Sequence, residues 1–199
     1  MFPVNRRIFS RNVFLRRLSR KDAEDYAGLL QKNRDFIEKW FPPLPESLDV
    51  ARASDWILDE HLQWKRGERL DLGVFLATSG ELVGRIALHS ISYGIQRSAG
   101  VSYWISRSNA GKGIITEALA TICSLAFEEL LFHRIWLNIP SDNRPSLAVA
   151  RKLRFRQEGC QAKALFLDGK WRDTIVLAML EEEYNELAET WIKKKYLGV

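Results

Sequence analysis

Ser102-Tyr103-Trp104-Ile105-Ser106-Arg107-Ser108-Asn109-Ala110-Gly111-Lys112-Gly113-Ile114-Ile115-Thr116-Glu117-Ala118 reads as an apolar strand, a loop with two glycines and the start of an apolar helix. A glycine-bearing turn at a helix start presents unpaired backbone N–H groups at the positive end of the helix dipole, a cradle for phosphate. Two familiar phosphate loops do not fit. A P-loop requires Gly-x-x-x-x-Gly-Lys-Ser/Thr, but Lys112 lies between the glycines and no Ser or Thr follows it directly. A dinucleotide fingerprint requires Gly-x-Gly-x-x-Gly early in a βαβ unit. Here its third glycine position is Thr116, and the loop lies past the middle of the chain. What remains is Gly-x-Gly between a strand and a long helix, a pattern that also serves as a plain tight turn.

The segments downstream narrow the choice. Arg134-Ile135-Trp136-Leu137-Asn138-Ile139 is a β-rich run. Asn143-Arg144-Pro145-Ser146 opens a helical run from Leu147 to Leu153, with Asn143 as cap and Pro145 tolerated in the first turn. Phe155-Arg156-Gln157-Glu158-Gly159-Cys160 leads into two strands joined at Asp168-Gly169, a hairpin signal. The loop is thus followed by Asn-x-x-Ser, eight intervening residues and Phe-x-x-Glu-Gly. This order resembles the RimJ/RimL branch of the GNAT N-acetyltransferases, the ribosomal-protein N-terminal type. Tyr103-Trp104-Ile105, Gly111-Lys112-Gly113-Ile114, Thr116-Glu117-Ala118, Ala126-Phe127 and His133-Arg134-Ile135 read as the same branch, and the resemblance runs from about Val13 to Met179.

The resemblance implies an α/β fold: a mixed, mostly antiparallel sheet with a splayed central strand pair, flanked by helices. It implies one N-acetyltransferase domain over residues 1–199, with a core of about 13–180 and a basic C-terminal helix over 182–197. The cosubstrate would be acetyl-CoA, its arm lying in the splayed gap and paired with strand backbone. Tyr103, Trp104, Ile105 and Ser106 would line the arm, and Asn109, Ala110, Gly111, Lys112, Gly113, Ile114 and Ile115 would hold the pyrophosphate. Lys112 would approach the phosphates or remain a surface lysine. Asn143 would bond the arm near the thioester or simply cap its helix, one side chain being poorly suited to both.

A coarse pass along the chain agrees with that fold. Strands are predicted at Val13–Leu18, Leu70–Ala77, Glu81–Ser90, Ala99–Ser106 and Arg134–Ile139, with two more closing the sheet. Helices are predicted from Ser19-Arg20-Lys21-Asp22, a capping-box pattern, to Lys32, and then over Asn33–Trp40, Asp49–Lys65, Lys112–Leu130, Pro145–Leu153 and from about Glu182. The order is β-α-α-α-β-β-β-α-β-α-β-β, without a repeat or a dividing linker.

Composition sets outer bounds. A length of 199 residues, 46% hydrophobic and 28% charged, suits one globular domain. No apolar run approaches the roughly 20 residues of a membrane span, and Met1 to Arg11 is basic without a signal peptide's apolar stretch, so the expected place is the cytoplasm. Cys123 and Cys160 read as buried free thiols, and the three histidines lack metal-ligand spacing, so no metal is expected. The net charge of +5 is mild. Its basic residues gather near the ends (Arg6, Arg7, Arg11, Arg16, Arg17, Arg20, Lys21; Lys193, Lys194, Lys195) and read first as solvated surface, second as a weak ribosomal contact.

Acetyl transfer from a thioester to an amine needs a neutral amine, a polarised carbonyl and a stabilised thiolate. The tyrosine that many GNAT enzymes use as acid has its counterpart here at Ala150. The RimL-like branch implies Ser146 instead, on the first turn of its helix where the dipole favours developing negative charge; alternatively Ser146 only supports that helix start. Both glutamates the family offers as base are replaced, by Gly100 and Leu165. Glu117 and Glu158 remain, and surface ion pairs explain them more simply. His89, at the end of a strand, has a suitable pKa of about 6.5, or is a packed histidine. Missing carboxylates favour a low-pKa acceptor, because an α-amine of pKa about 7.7–8.0 is roughly 10% neutral at pH 7 and a lysine only ~0.04%.

The leading reading is therefore N-acetylation of a protein or peptide N-terminus by positioning and a water relay. A small amine, such as an aminoglycoside, polyamine or amino-acid derivative, is the alternative, kept open by Glu46, Asp49, Asp55, Asp59 and Glu60. A module that binds acetyl-CoA without turnover is a third. Acceptor choice is expected from Phe36–Gly67 and the hairpin at Asp168. Trp40, Trp56 and Trp64 read as core, with a substrate groove or a homodimer contact as alternatives.

Overall fold

The computed structural model describes residues 6–197, so the part of the basic leader formed by residues 1–5 lies outside it. The strands are β1 (Ile8–Phe9), β2 (Val13–Arg16), β3 (Leu70–Leu76), β4 (Leu82–Ser92), β5 (Ser98–Ile105), β6 (Arg134–Pro140), β7 (Arg156–Leu167) and β8 (Lys170–Leu180). The helices are α1 (Ala23–Lys32), α2 (Arg34–Glu38), α3 (Val50–Lys65), α4 (Ile114–Ser124), α5 (Arg144–Lys152) and α6 (Glu181–Lys193). All eight strands form one sheet in the order β1-β2-β3-β4-β5-β6-β8-β7. Every neighbouring pair is antiparallel except β5–β6.

Strand alternation gives the sheet two apolar faces. Leu70, Leu72, Ile86, Leu88 and Val101 pack with Ala118, Leu119 and Ile122 of α4 and with Tyr184 and Trp191 of α6. Phe14 and Phe75 pack with Tyr26, Ala27 and Leu30 of α1 and with Ala53 and Ile57 of α3. The local signals hold at the element ends. Ser19 N–H and Oγ donate to Asp22 at 2.7 and 2.8 Å, and Asp49 caps α3 by accepting from Arg52 N–H at 2.8 Å. Asp168 (φ +50°) and Gly169 (φ +69°) form the two-residue hairpin loop that Asp-Gly favours. Among the described residues no helix is long and apolar enough to cross a membrane.

Several expectations are corrected. The short β1 was not predicted. The helix read to Leu130 ends as an α-helix at Ser124, and Leu125–Glu129 winds as a π-turn, with Phe127 stacked on Tyr184 at 5.0 Å between ring centroids. Cys123 is buried, but Cys160 is exposed, because β7 is the sheet's edge strand and most of its residues face solvent. Glu158 does form ion pairs with Arg134 and Arg156. Glu117, in contrast, is no surface group. It is 5% exposed and accepts from Asn12 N–H at 2.6 Å, Asn12 Nδ2 at 3.0 Å and Val13 N–H at 3.3 Å. This carboxylate fastens the start of β2 to the first turn of α4.

Replacing Glu117 with Ala leaves the buried Val13 N–H without its acceptor and releases the part-buried Asn12 donors, at a cost of about 2–3 kcal/mol. The expected result is a melting temperature lower by about 4–12 °C, read by calorimetry; an unshifted midpoint would mean that the carboxylate does not fasten β2 to α4.

Candidate active site

β5 and β6 pair only at Ser98↔Arg134, Ala99↔Ile135 and Gly100↔Trp136. Beyond Gly100 the two strands part, although β5 continues to Ile105 and β6 to Pro140. Each keeps its outer partner, β4 and β8, so the opening lies inside the sheet. This is the splayed pair expected from the sequence.

A cleft of about 350 Å³ lies against the parted end of β5, the loop and α5. Of the residues singled out, Tyr103, Trp104, Ile105, Asn109, Ala110, Gly111, Gly113, Ile114, Ile115, Asn143 and Ser146 line it. Ser106 and Lys112 do not. Ser106 is buried and accepts from Asn109 Nδ2 at 3.0 Å, while Lys112 is exposed with Nζ 3.3 Å from Asn109 Oδ1. Both therefore brace the loop through Asn109. Gly111 (φ +76°) and Gly113 (φ +82°) hold left-handed conformations that side chains resist, and open space lies where a Cβ would project. The first bond of α4 runs from Glu117 N–H to Gly113 O at 3.1 Å. The N–H groups of Ile114, Ile115 and Thr116 therefore have no helical acceptor and remain for an anion, so the cradle suits a pyrophosphate.

Asn143 resolves a conflict anticipated from the sequence. Its Oδ1 caps α5 by accepting from Ser146 N–H at 3.2 Å. Its Nδ2 has no partner among the described residues, so one amide can both cap the helix and donate to a ligand. Tyr103 Oη donates to Ser146 O at 3.3 Å, and burial raises its pKa, so the phenol stays protonated and ties α5 to β5. Ser146 Oγ has no partner among the described residues and faces the cleft from the first turn of α5. Ala150 is fully buried, and Leu165 lies on exposed β7; neither lines a cleft.

A second cleft, of about 290 Å³, meets the first at Ile37, Phe41, Tyr103 and Trp104. The loop Phe41–Pro45 and Trp56 wall it, within the segment expected to choose the acceptor, whereas Asp168 is absent from both linings. Of the three tryptophans read as core, only Trp64 is buried there; Trp40 and Trp56 line the two clefts. The floor carries three charges that the sequence reading did not single out, Arg69, Asp71 and Arg85, and Glu60 adjoins them. Asp71, its side chain 2% exposed, accepts from Arg69 Nε at 2.7 Å and Nη2 at 3.0 Å and pairs with Arg85 Nη2 at 2.6 Å. Arg85 Nη1 lies 2.7 Å from Glu60 and also bonds the Tyr26 hydroxyl. Burial, with the push of Asp71, raises the Glu60 carboxyl to about 7 against the pull of Arg85. The available signal was one charge inside each of two apolar strands, Leu-Asp-Leu and Gly-Arg-Ile.

His89 lies beside this floor, opposite Gly100 in the β4–β5 register. Its ring meets Trp136 edge-on at 5.3 Å, and its Nδ1 is 3.1 Å from Ser90 Oγ. A Cβ on Gly100 would lie 2.5 Å from His89 Cε1 and 2.8 Å from the Trp136 ring. Residue 100 thus cannot bear a side chain while those rings stay. Burial and then the charge of Arg69 lower the His89 pKa, so the imidazole is neutral at pH 7. Among the described residues no group of three His, Cys, Asp or Glu side chains could hold a metal.

Comparison with known proteins agrees with this geometry. A model of the acetyltransferase (GNAT) domain matches residues 12–156. The [ribosomal protein uS5]-alanine N-acetyltransferase of Escherichia coli strain K12 is 26% identical over 90% of this chain and 93% of its own. Spermidine N(1)-acetyltransferase of the same strain is 27% identical over 87% and 88%. Among solved structures, Mycobacterium smegmatis RimJ in complex with CoA-disulfide superposes with a TM-score of 0.86 at 28% identity, covering 94% of this chain and 90% of that one. The strand gap, the glycine cradle and these relatives converge on one conclusion: the chain belongs to the GNAT acetyltransferase family and is an N-acetyltransferase whose cosubstrate is acetyl-CoA.

Proposed function

We propose that the chain acetylates the α-amino group of a protein or peptide N-terminus, of the ribosomal-protein type. One observation carries this reading: the neutral imidazole of His89 adjoins the acceptor cleft without lining it, one row from Ala87 and Ser102, while the cleft's carboxylates are clamped by arginines. Asp71 is held by Arg69 and Arg85, and Glu60 by Arg85. A side chain at position 100, where the family resemblance puts a glutamate, is excluded by His89 and Trp136. So weak a base suffices for an α-amine, whereas a lysine would require about 3–4 kcal/mol more. The relative named for ribosomal protein uS5 alanine supports this acceptor class.

Bound acetyl-CoA supplies an activated acyl thioester. In this reading the N–H groups from Gly111 to Thr116 hold its pyrophosphate, and Trp104 and Ile105 present strand backbone to its arm. Asn143 Nδ2 orients the arm near its reactive end. His89, directly or through water, takes the proton of the acceptor nitrogen. Ser146 Oγ, at the positive end of α5, gives a proton to the departing sulfur. The whole chain, residues 1–199, is read as one N-acetyltransferase domain acting in the cytoplasm.

A small amine is the second reading, favoured by the spermidine-acetylating relative. The carboxylates of the acceptor floor are paired with guanidinium groups, which weighs against a polycation. Of the acidic residues between Glu46 and Glu60, only Asp59 and Glu60 reach a cleft, and Glu60 is paired.

Three measurements test these assignments. With free-terminus peptides, turnover should rise with pH through the amine's pKa of about 7.7–8.0, and N-terminally blocked lysine peptides should give none; acetylation of lysine alone would defeat the reading. Ser146→Ala should lower kcat about tenfold to a hundredfold with little change in KM for acetyl-CoA; unchanged turnover removes Ser146 from proton donation. His89→Gln should lower kcat/KM about a hundredfold. It should also abolish the wild-type fall on the acid side below pH 6.5, where the imidazole becomes protonated; a variant that retains that limb leaves His89 a packing residue.

A further inference from the structure

We propose that Arg69, its fork fixed by Asp71 and Arg85, forms an oxygen-binding site in the acceptor cleft, so that the preferred acceptor carries a carbonyl or carboxylate oxygen one carbon from its amine. The inference rests on the α-amine reading and narrows it. Asp71, Ala87 and Ser102 stand in one row across β3, β4 and β5. The neighbouring rows on that face are Arg85↔Trp104 and His89↔Gly100. Because Ala87 and Ser102 are short, the middle row is a trough between larger side chains. Continuing the register from Leu70↔Leu88 by one residue sets Arg69 across from His89. The two residues are thus neighbours across the strands, and the Arg69 charge acts on the His89 ring, while the Arg69 fork leans to Asp71 in the next row.

Arg69 keeps a donor in reserve. Asp71 grips Arg69 through Nε and Nη2, so the fork is fixed while Nη1 has no partner among the described residues. Arg69 remains 37% exposed, open to a ligand. Arg85 spends Nη1 on Glu60 and Tyr26 and Nη2 on Asp71, and its Nε is enclosed. Arg85 therefore acts through Asp71, holding the carboxylate that fixes the Arg69 fork, and the donor open to an acceptor oxygen is Arg69 Nη1. Arg69, Arg85 and Asp71 line this cleft and also the adjoining one, where Glu60 and Asp59 join them. What the cluster offers a ligand is therefore the directed Arg69 Nη1 donor and not a net positive field. An α-amino acyl group presents an oxygen about 3 Å from its amine, so a donor placed beside the amine's site serves both.

The source of the oxygen is either a peptide carbonyl or the carboxylate of a free amino acid, and the assay separates them. kcat/KM is measured with alanyl-alanine amide, free alanine, isopropylamine and spermidine, each corrected for its neutral-amine fraction, for wild type and Arg69→Met. Alanyl-alanine amide should exceed isopropylamine by about tenfold to a hundredfold, the size of one hydrogen bond to a charged donor. Arg69→Met should erase that ratio. A free-alanine rate above the peptide's assigns the site to carboxylates, and the reverse order to peptide carbonyls. Equal wild-type rates for peptide and isopropylamine, or a loss in Arg69→Met shared alike by every acceptor, would overturn the proposal and leave the α-amine reading standing. Turnover of spermidine alone would overturn both. If Arg69→Met does not fold, the wild-type ratio decides.

Discussion

The molecule depends on the place where a parallel strand pair stops pairing. Backbone N–H and C=O groups inside a protein require partners, and parting two central strands withdraws them. β5 and β6 bear this because each is anchored on its far side, β5 through a long register with β4 and β6 along its whole length with β8. The inner edge of β5 beyond Gly100 thus faces an opening rather than a strand. An extended ligand with amide groups can take the vacated pairing. The gap explains why the two clefts meet at Tyr103 and Trp104, the residues that follow the divergence.

Holding such an opening at fixed width takes cross-ties. Glu117 binds Asn12 and Val13 and so joins α4 to β2, fixing the helix whose first turn carries the cradle. Tyr103 joins β5 to α5 through Ser146 O, and Asn143 sets the first turn of α5. Arg172 of β8 pairs with Asp142 and lies 5.7 Å from the Trp40 ring, which bridges the base of α5 to the segment after α2. The Glu117, Tyr103 and Arg172 ties each join two separate elements, whereas Asn143 fixes the start of α5 locally. The cradle is thereby a property of the whole sheet, although its residues are nearly contiguous.

Local signals made the fold and the cofactor loop legible in the sequence. The strand–glycine–helix passage, the Asn cap with Pro in its first turn and the Asp-Gly hairpin each depend on a few adjacent residues. What escaped depends on residues far apart. Gly100 looked like a lost glutamate, but its meaning lies in the rings of His89 and Trp136, which belong to two other strands. Glu117 looked like surface because nothing in its helix announces the Asn12 backbone. Asp71 and Arg85 looked unremarkable because ion pairing across strands has no sequence period. Arg154, where the resemblance suggests glycine, takes φ +63° itself, and Phe155 N–H still closes on Ala150 O at 3.0 Å. The turn is preserved by strain in one residue.

In the proposed reaction proton removal falls to an imidazole and not to the nearby carboxylates, and the charged floor supplies the reason. A carboxylate serves as a base when its charge is unspent, and Asp71 spends its charge on two guanidiniums. Glu60 is less tightly held, and burial brings its carboxyl to about 7, a value suited to proton exchange. Its pairing weighs against it: Glu60 lies in the adjoining cleft with its carboxylate on Arg85. Arg85 attracts both carboxylates and so turns their electron density away from the acceptor. Burial, and then the charge of Arg69, keep the neighbouring imidazole neutral. In the proposed reaction, the Arg69 charge that holds Asp71 thus also favours His89 as a base, and its remaining donor suits an amine that brings an oxygen of its own.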